Sequence, residues 1–395
     1  MARASKPVEL TQSAARRIWL RAQRLDERTP FGSGPQATAD AVAHLGYVQI
    51  DTINVIERCH HHILWTRIPD YRRADLRAAQ STAKSVFEYW THALAYVPSR
   101  DLRFFLPAMR AYRNAPARWF ESVTKADLRK VLTLIKDGGP LTIRDIDDDV
   151  LIEKDHLWSS RKPSKRALQL AFFMGVLTVS ARIGMLKTYD LTARHFGWDT
   201  APKPATAREI TDYLIDRALR AQGIVSLDSI CHLAARDKPA IRKAIDARIR
   251  KGDLVAVSLD GAGRTEHWAR PDWIDARPDA ATEHVHILSP FDPLVIQRKR
   301  THLFFDYDHR FEAYIPKEKR LFGYFALPVL VGDQIVAAID LKTDRQSRKL
   351  LMQKWTWIGK QPRKTLKPQI EAALHRFERF QLAVDAPEPG ASILL

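Results

Sequence analysis

Apolar residues recur every three to four positions at the start of the chain, at Leu10, Ala14, Ile18, Ala22 and Leu25. This spacing predicts a helix over residues 10–25 with one buried face. A short second helix is predicted to end at Leu45, because Gly46 is a favourable residue for terminating a helix.

The period changes to two over residues 47–53. Apolar Val48 and Ile50 alternate there with polar Gln49 and Asp51. Because successive side chains of a strand point to opposite faces, this pattern predicts a strand with Gln49 and Asp51 on one face.

A helix–glycine–hairpin order recurs further along the chain. Arginine- and aromatic-rich helices are predicted over 72–134, before a break at Gly138-Gly139-Pro140. The order then appears twice, as helix 165–174 with strands 177–182 and 186–191, and as helices 207–222 and 239–250 with strands 254–259 and 265–269. The segment 46–50 fits the same place in a first unit. This is the winged-helix pattern, and its repetition predicts three tandem units.

The sequence of the last third of the chain favours strands over helices. Strands are predicted over 285–288, 311–315, 321–330 and 334–341. They indicate a small antiparallel barrel or sheet, followed by a helix over 364–382.

The predicted fold class is therefore α+β, with three tandem winged-helix units on a small antiparallel β-barrel. The predicted boundaries are 8–70 for the first unit with the polar strand, 71–138 for a helical connector, 139–200 and 205–275 for the second and third units, 284–360 for the barrel, 361–384 for a C-terminal helix and 385–395 for a flexible tail.

The chain is strongly basic. Its 395 residues include 63 Lys+Arg against 46 Asp+Glu, a formal charge of +17. Such a charge favours a polyanionic partner, first of all nucleic acid. A ribosome-associated protein, or one that is merely basic and soluble, is the alternative.

Cysteine content and hydropathy narrow the class further. Cys59 and Cys231 cannot form a disulfide framework or a cysteine-rich zinc site, and they fit a reducing cytoplasm. The most apolar stretch, 167–185, is interrupted by polar residues and falls short of the roughly 18–20 apolar residues that a membrane span needs. No secretory signal is recognised at the N-terminus, and a cytoplasmic, nucleoid-associated protein is expected.

Basic residues cluster on the predicted helix and wing segments. The candidates for DNA contact are Arg161, Lys162, Lys165, Arg166 and Arg182 in the second unit, Lys238, Arg242, Lys243 and Arg250 in the third, and Arg264 on the glycine-rich wing turn. Helix and wing are the parts of such folds that meet phosphates and grooves. An ordinary solvated helix face is the alternative.

Gln49 and Asp51 form a candidate water-positioning pair. The carboxylate can accept a proton from water or stabilise a developing cation, and the amide can hold the second hydrogen bond of the water. An amphipathic edge strand with a polar outer face explains the same residues without chemistry.

Three adjacent histidines, His60 to His62, raise a metal alternative. Two of them, at i and i+2 on a strand, could share an ion with a third ligand from elsewhere. No HExxH, CxxC or spaced His/Asp motif supports such a site, and no Walker A, GxGxxG or GxSxG motif is present. Neither a metal nor another cofactor is expected.

Longer motifs resemble a known family. They are Leu45 to Arg58, His60-His61, Leu64 to Arg67, Leu288 to Leu294 with Arg298, Tyr314 to Pro316, Arg320 to Phe325, Leu327 to Leu330, Gly332-Asp333 and Asp340 to Lys342. Together they resemble the winged-helix DNA glycosylases of the AlkZ/YcaQ type, which unhook interstrand crosslinks. The resemblance covers roughly 8–382.

The resemblance implies both fold and site. Three winged-helix units and a β-barrel would form a C-shaped, concave DNA-binding body. Gln49 and Asp51 would be the catalytic Gln-apolar-Asp motif of the broader-specificity, YcaQ-like branch. Arg58 becomes a candidate DNA contact, and Tyr47, His60 and Trp65 are candidate active-site neighbours, each with a structural alternative.

The implied activity is that of a monofunctional glycosylase. It would release N7-alkylated guanine from double-stranded DNA with alkylation or crosslink lesions, as a monomer and without a cofactor. The first competing reading is a non-catalytic winged-helix regulator, for which Asp51→Asn changes only affinity. The second is a metal-dependent nuclease using Asp51 and the histidines, whose strand cleavage stops with EDTA.

Overall fold

The computed structural model describes residues 6–146, 150–154, 160–278, 280–360 and 362–383. Its helices are α1 Gln12–Ala22, α2 Gly34–Leu45, α3 Cys59–Arg67, α4 Arg73–Ser81, α5 Leu102–Asn114, α6 Lys125–Gly138, α7 Pro163–Phe173, α8 Thr192–Phe196, α9 Ala207–Gln222, α10 Leu227–Ile230, α11 Lys238–Lys251, α12 Pro271–Asp275, α13 Arg298–Phe305 and α14 Arg363–Leu382.

The strands of the same residues are short. They are β1 Val8–Leu10, β2 Val48–Gln49, β3 Val86–Trp90, β4 Leu94–Pro98, β5 Leu141–Thr142, β6 Leu177–Ile183, β7 Leu186–Leu191, β8 Ile224–Val225, β9 Val255–Leu259, β10 His267–Ala269, β11 Val285–Ile287, β12 Ala326–Val331, β13 Gln334–Asp344 and β14 Lys349–Trp357. The α+β class is as predicted. Two units share the chain, one formed by 1–74 with 211–395 and the other by 75–210.

The first unit begins with a strand that the helical pattern concealed. Residues 8–10 extend as β1 and pair in parallel with β9, and α1 starts only at residue 12. Thr11 fixes that start, because its Oγ1 accepts a hydrogen bond from Ala14 N at 3.2 Å. The apolar face of α1 then packs into the core, where the rings of Trp19 and Phe304 meet edge to face with centroids 4.9 Å apart.

A four-stranded open sheet replaces the predicted barrel. Its order is β11-β12-β13-β14, with antiparallel neighbours throughout, and no pairing within the described residues closes it. The barrel prediction is therefore wrong.

Beside this sheet, carboxylate side chains accept the backbone hydrogen bonds that a neighbouring strand would otherwise accept. The predicted strand 311–315 is a turn, in which Glu312 accepts backbone N–H groups from Leu321, Phe322 and Gly323 at 2.8, 2.7 and 3.1 Å. Asp340 accepts two more, from Tyr324 and Phe325. The backbone N–H groups of residues 321–325 are satisfied in this way, and β12 begins only at residue 326.

The compact unit of residues 75–210 contains a hairpin in a region where only helices were predicted. Strands β3 and β4 pair antiparallel from Val86↔Pro98 to Trp90↔Leu94. The predicted strands 177–182 and 186–191 are confirmed as β6 and β7, which form a three-stranded sheet in the order β5-β7-β6.

Several helix predictions are confirmed closely. Helix α9 has the predicted bounds, α11 ends at Gly252 in the left-handed conformation (φ 79°), and α14 differs by one residue from the prediction. Within the described ranges no helix combines the length and apolarity that crossing a bilayer requires. The predicted tail 385–395 lies outside the described residues.

Candidate active site

The polar pair follows a helix that ends at a glycine. Helix α2 stops at Gly46, which adopts the left-handed conformation at φ 81°. A side chain at this position would overlap Cγ and Cδ of Arg217, which packs against the turn from α9. Gly46 thus permits both the turn and the close approach of α9.

The strand after this turn is shorter than predicted. Only Val48 and Gln49 form β2, and the chain then enters a loop that reaches α3 at Cys59. Asp51 is therefore a loop residue, and the prediction that strand alternation aligns it with Gln49 is wrong.

Gln49 and Asp51 differ in their access to solvent. Gln49 is only 7% exposed, whereas Asp51 is half-buried. Asp51 Oδ1 accepts a hydrogen bond from Ile53 N at 2.8 Å, an Asx-type turn that orients the carboxylate. Its other oxygen, Oδ2, accepts no hydrogen bond from any residue that the structure describes. One carboxylate oxygen is thus fixed and the other is available to a water molecule or a sugar.

Cys59 lies beneath this loop. Its Sγ donates to Gln49 O at 3.1 Å. Burial raises the pKa of the thiol well above its usual value, and the negative charge of Asp51 raises it further. A protonated, fully buried thiol is a structural hydrogen-bond donor rather than a nucleophile.

The far end of the loop is tied to α14. Glu57 accepts a hydrogen bond from Arg58 N through Oε1 (2.9 Å) and pairs with Arg73 through Oε2. Arg73 in turn donates to Phe380 O and Ala383 O, both at 3.1 Å. Since both carboxylate oxygens of Glu57 are bound within the protein, this residue stabilises the loop and is not a second catalytic carboxylate.

The predicted neighbours fall into two groups. Tyr47 lies near Arg217, whose guanidinium is 6.0 Å from the ring centroid, and burial raises the pKa of the Tyr47 phenol to about 12. Arg58 is half-buried, and its Nε has no hydrogen-bond partner among the described residues. These two residues flank the loop and stay candidates for contact with substrate.

His60 is buried, and Trp65 is half-buried against α14. His60 is 2% exposed and contacts the ring of His61. Trp65 stacks on Phe380 with ring planes 11° apart and centroids at 5.2 Å. Trp65 therefore packs against α14 and has a structural role, which is the alternative to its predicted place in the active site.

The three histidines lie on a helix, α3, and not on a strand. His62 bonds Ile287 O through Nε2 at 2.8 Å, and His61 bonds the hydroxyl of Tyr71 through Nδ1 at 2.6 Å. The i and i+2 strand geometry that the metal alternative required is not formed. Throughout the described ranges, no group of three or more His, Cys, Asp or Glu side chains is arranged to hold an ion.

Exposure ranks the predicted DNA contacts. The exposed cations, for which the described residues offer no carboxylate partner, are Arg161, Lys165, Lys243, Arg250 and Arg264. Lys162 is half-buried and its Nζ approaches Ile146 O at 3.4 Å. Lys238 pairs with Asp228, and Arg242 pairs with Asp246 and Glu266.

Two predicted contacts are part of the fold. Arg166, 2% exposed, donates to Ser160 O, Glu153 O and Ser122 Oγ. Arg182 forms a buried ion pair with Glu88. Burial alone would raise the pKa of Glu88, but the charge and hydrogen bonds of Arg182, together with Lys187 and Gln80, lower it below its usual value. Neither guanidinium is free to meet a phosphate in this structure.

Arg217 is a candidate that sequence reasoning missed. Its guanidinium lies 6.0 Å from the ring centroid of Tyr47 and 5.5 Å from that of Tyr213. The three acidic residues of the same helix are paired elsewhere, Asp212 and Asp216 with Arg248 and Glu209 with Arg103. Arg217 therefore brings next to β2 a positive charge that has no carboxylate partner among the residues the structure describes. No local motif marks its place at the site, because the residues that it meets there, Gly46 and Tyr47, lie in a distant part of the chain.

A half-buried carboxylate and an amide on a strongly basic protein suit hydrolysis of a polyanionic substrate. A family model described as "DNA glycosylase AlkZ-like" matches residues 42–380. The chain belongs to this family of AlkZ-like DNA glycosylases, as its resemblance predicts. It is an enzyme that hydrolyses N-glycosidic bonds, and DNA is its partner.

A solved structure supports the fold. The chain is similar to the Streptomyces sahachiroi DNA glycosylase AlkZ, with a TM-score of 0.59 over 94% of this chain and 97% of that chain. The two sequences are 17% identical, so the likeness concerns the fold alone.

Proposed function

We propose that the protein is a monofunctional glycosylase that releases N7-alkylated guanine and unhooks crosslinks made through that position. The observation that carries the proposal is the carboxylate of Asp51, half-buried, with Oδ1 held by Ile53 N and Oδ2 without a partner among the described residues. A negative group oriented in this way is suited to stabilise a developing sugar cation and to position water.

The substrate supplies what the site lacks. An N7-alkylated guanine carries positive charge and leaves without protonation, so no general acid is needed. The bond from N9 to C1′ breaks, water attacks C1′ from the face that Asp51 presents, and its proton passes to the carboxylate or to solvent. Gln49 serves as the second hydrogen-bonding partner of the water. The products are the free base and an abasic site.

The same chemistry extends to crosslinks. A crosslinked guanine cannot be flipped freely into a deep pocket, because the opposite strand is attached to it. A site on a loop at the start of a helix, with a half-exposed acid, suits a base that stays close to the duplex. We therefore include crosslinked guanine in the substrate class, acted on by a monomer.

We further infer that the helical segments are winged-helix units. Elements α9, β8, α10, α11, β9 and β10 follow one another in the winged-helix order, and β8, β10 and β9 are antiparallel neighbours. Elements α6, β5, α7, β6 and β7 repeat the start and end of that order. In this interpretation Lys243 and Arg250 on α11, and Arg264 beyond β9, meet the DNA backbone.

The test is base release in the presence of EDTA, from duplex DNA with 7-methylguanine and from a nitrogen-mustard crosslinked duplex. Wild type is expected to release base from both, and Asp51→Asn to lose activity by about 10²–10⁴-fold. The matched control is Asp70→Asn, which removes the same charge from an exposed residue and should retain the activity.

Each other result has a distinct meaning. Release from 7-methylguanine alone would limit the function to monoadducts. No release from either substrate by a folded, DNA-bound protein would refute N7-alkylguanine as the substrate. Equal activity of wild type and Asp51→Asn would remove Asp51 from the chemistry.

A further inference from the structure

The hairpin between β13 and β14 reaches the loop that carries Asp51. Arg345 lies in its turn, and a single nitrogen, Nη2, donates to Asn54 O (3.0 Å), Asn54 Oδ1 (2.9 Å) and Ile56 O (3.2 Å). At the end of β13, Thr343 N donates to Val55 O at 2.9 Å. Three consecutive loop residues are thus held from one hairpin.

The turn itself is braced. Asp344 Oδ1 accepts hydrogen bonds from Gln346 N (3.0 Å) and Ser347 N (3.1 Å). Arg348 donates through Nη2 to Leu382 O at the end of α14, at 3.3 Å. Arg345 therefore extends from a fixed turn, and its contacts transmit that fixed position to the loop.

The loop passes this constraint to the carboxylate. Asp51 Oδ1 is bound by Ile53 N, so the direction of Oδ2 depends on the backbone at residue 53. The next residue, Asn54, is the one that Arg345 grips through two atoms. A shift of Asn54 would turn the Ile53 amide and with it the carboxylate.

We propose that Arg345 is a positioning residue of the glycosylase reaction, acting through the backbone of 54–56 to orient Asp51. The proposal rests on the proposed role of Asp51. Arg345 would lower the barrier without touching the sugar, and its loss would show in the chemical step rather than in DNA binding.

If Arg345 acted only through its positive charge, by contacting a DNA phosphate, its loss would affect DNA binding rather than the chemical step. Arg345 is exposed and shares its hairpin with Lys342, Arg348 and Lys349, so a phosphate contact would make it one cation among several. A lysine would preserve such a contact. Its ammonium has three N–H groups, but its stem is shorter than that of arginine, so it would fall short of the three acceptors that Nη2 reaches.

The kinetic experiment separates the two roles. Arg345→Ala, Arg345→Lys and the control Lys349→Ala are compared on 7-methylguanine duplex by single-turnover release at saturating enzyme, and by the Kd for DNA. Both Arg345 variants should lower the rate constant by about 10–100-fold and change Kd by less than about threefold. Lys349→Ala should affect Kd only. A wild-type rate for Arg345→Lys, or a loss confined to Kd, would overturn the proposal.

A second measurement does not depend on activity. Amide hydrogen exchange of Thr343, and of residues 53–57, should be at least about tenfold faster in Arg345→Ala than in wild type, and unchanged in Lys349→Ala. Unchanged exchange with an unchanged rate would overturn the positioning role. Faster exchange with no base release by wild type would refute the proposed substrate and leave the hold on the loop supported.

Discussion

Among single residues, Arg182 stabilises the second unit through Glu88. The carboxylate of Glu88 is fully buried, and the Arg182 side chain beside it is 4% exposed. Substituting Arg182→Met leaves that carboxylate without its counter-charge. The expected loss is about 3–5 kcal/mol of unfolding free energy, measured by urea denaturation at neutral pH.

Arg161 is the matched control for this substitution. It is exposed and has no carboxylate partner among the described residues, so Arg161→Met should change stability by less than about 0.5 kcal/mol. Unfolding at wild-type denaturant concentration for Arg182→Met would show that the buried pair is not needed for the fold.

The same two arginines show how far sequence reasoning reaches at this scale. The sequence marks both as basic residues, Arg161 just before a predicted helix and Arg182 at the end of a predicted strand. It cannot show that Glu88, 94 positions earlier in the chain, lies against one of them. Likewise the Gln49–Asp51 motif was visible in the sequence, but the Asx turn that orients Asp51 depends on a loop that strand periodicity does not reveal.

Among the elements, the turn from α2 into β2 is the one that presents Gln49. Gly46→Ala would place a side chain at φ 81° and against Arg217. We expect a loss of about 2–4 kcal/mol in unfolding free energy, since the left-handed backbone and the displaced arginine each add a cost. Denaturation, with base release as a second readout, measures it.

Gly252→Ala isolates the backbone contribution. This glycine ends α11 at φ 79°, with nothing within 4 Å of the added Cβ. Its loss should be about 1–2 kcal/mol, and Gly46→Ala in an Arg217→Ala background should approach that value. Equal losses for both single variants in the wild-type background would show that Arg217 does not restrict the turn.

Elements with strong local signals were predictable, and those defined by distant partners were not. Helix α9 and the wing strands have periodicity and glycine stops of their own. Strands β1 and β14 form by pairing with β9 and β13, respectively, and their own sequences do not indicate these partners. The barrel failed for a related reason, because Glu312 and Asp340 satisfy backbone groups that the prediction assigned to strand ladders.

At the scale of the whole molecule, buried neutral histidines should make stability depend on pH. Burial lowers the pKa of His62, His267 and His309 from 6.5 to about 4 each. Below pH 6.5 the unfolded chain binds protons that the folded chain refuses, so unfolding free energy should fall as pH drops from about 6.5 to about 4. Each histidine contributes up to about 1.4 kcal/mol per pH unit. Urea denaturation at pH 7.5, 6 and 5 measures this dependence. His309→Asn should make the fall of unfolding free energy with decreasing pH less steep, by the amount that one proton contributes. An unchanged slope would show that His309 does not contribute to the pH dependence.

The net charge of +17 should act on DNA through unpaired cations more than through paired ones. Removing a cation that neutralises a phosphate lowers the slope of log K against log salt by about 0.9. Lys243→Gln and Arg250→Gln should each approach that change, because both are exposed on α11 without a described carboxylate partner. Lys238→Gln should change the slope less, since Asp228 already offsets its charge. Binding titrations at four salt concentrations decide this ranking, and an equal effect of all three would mean that DNA breaks the Lys238–Asp228 pair.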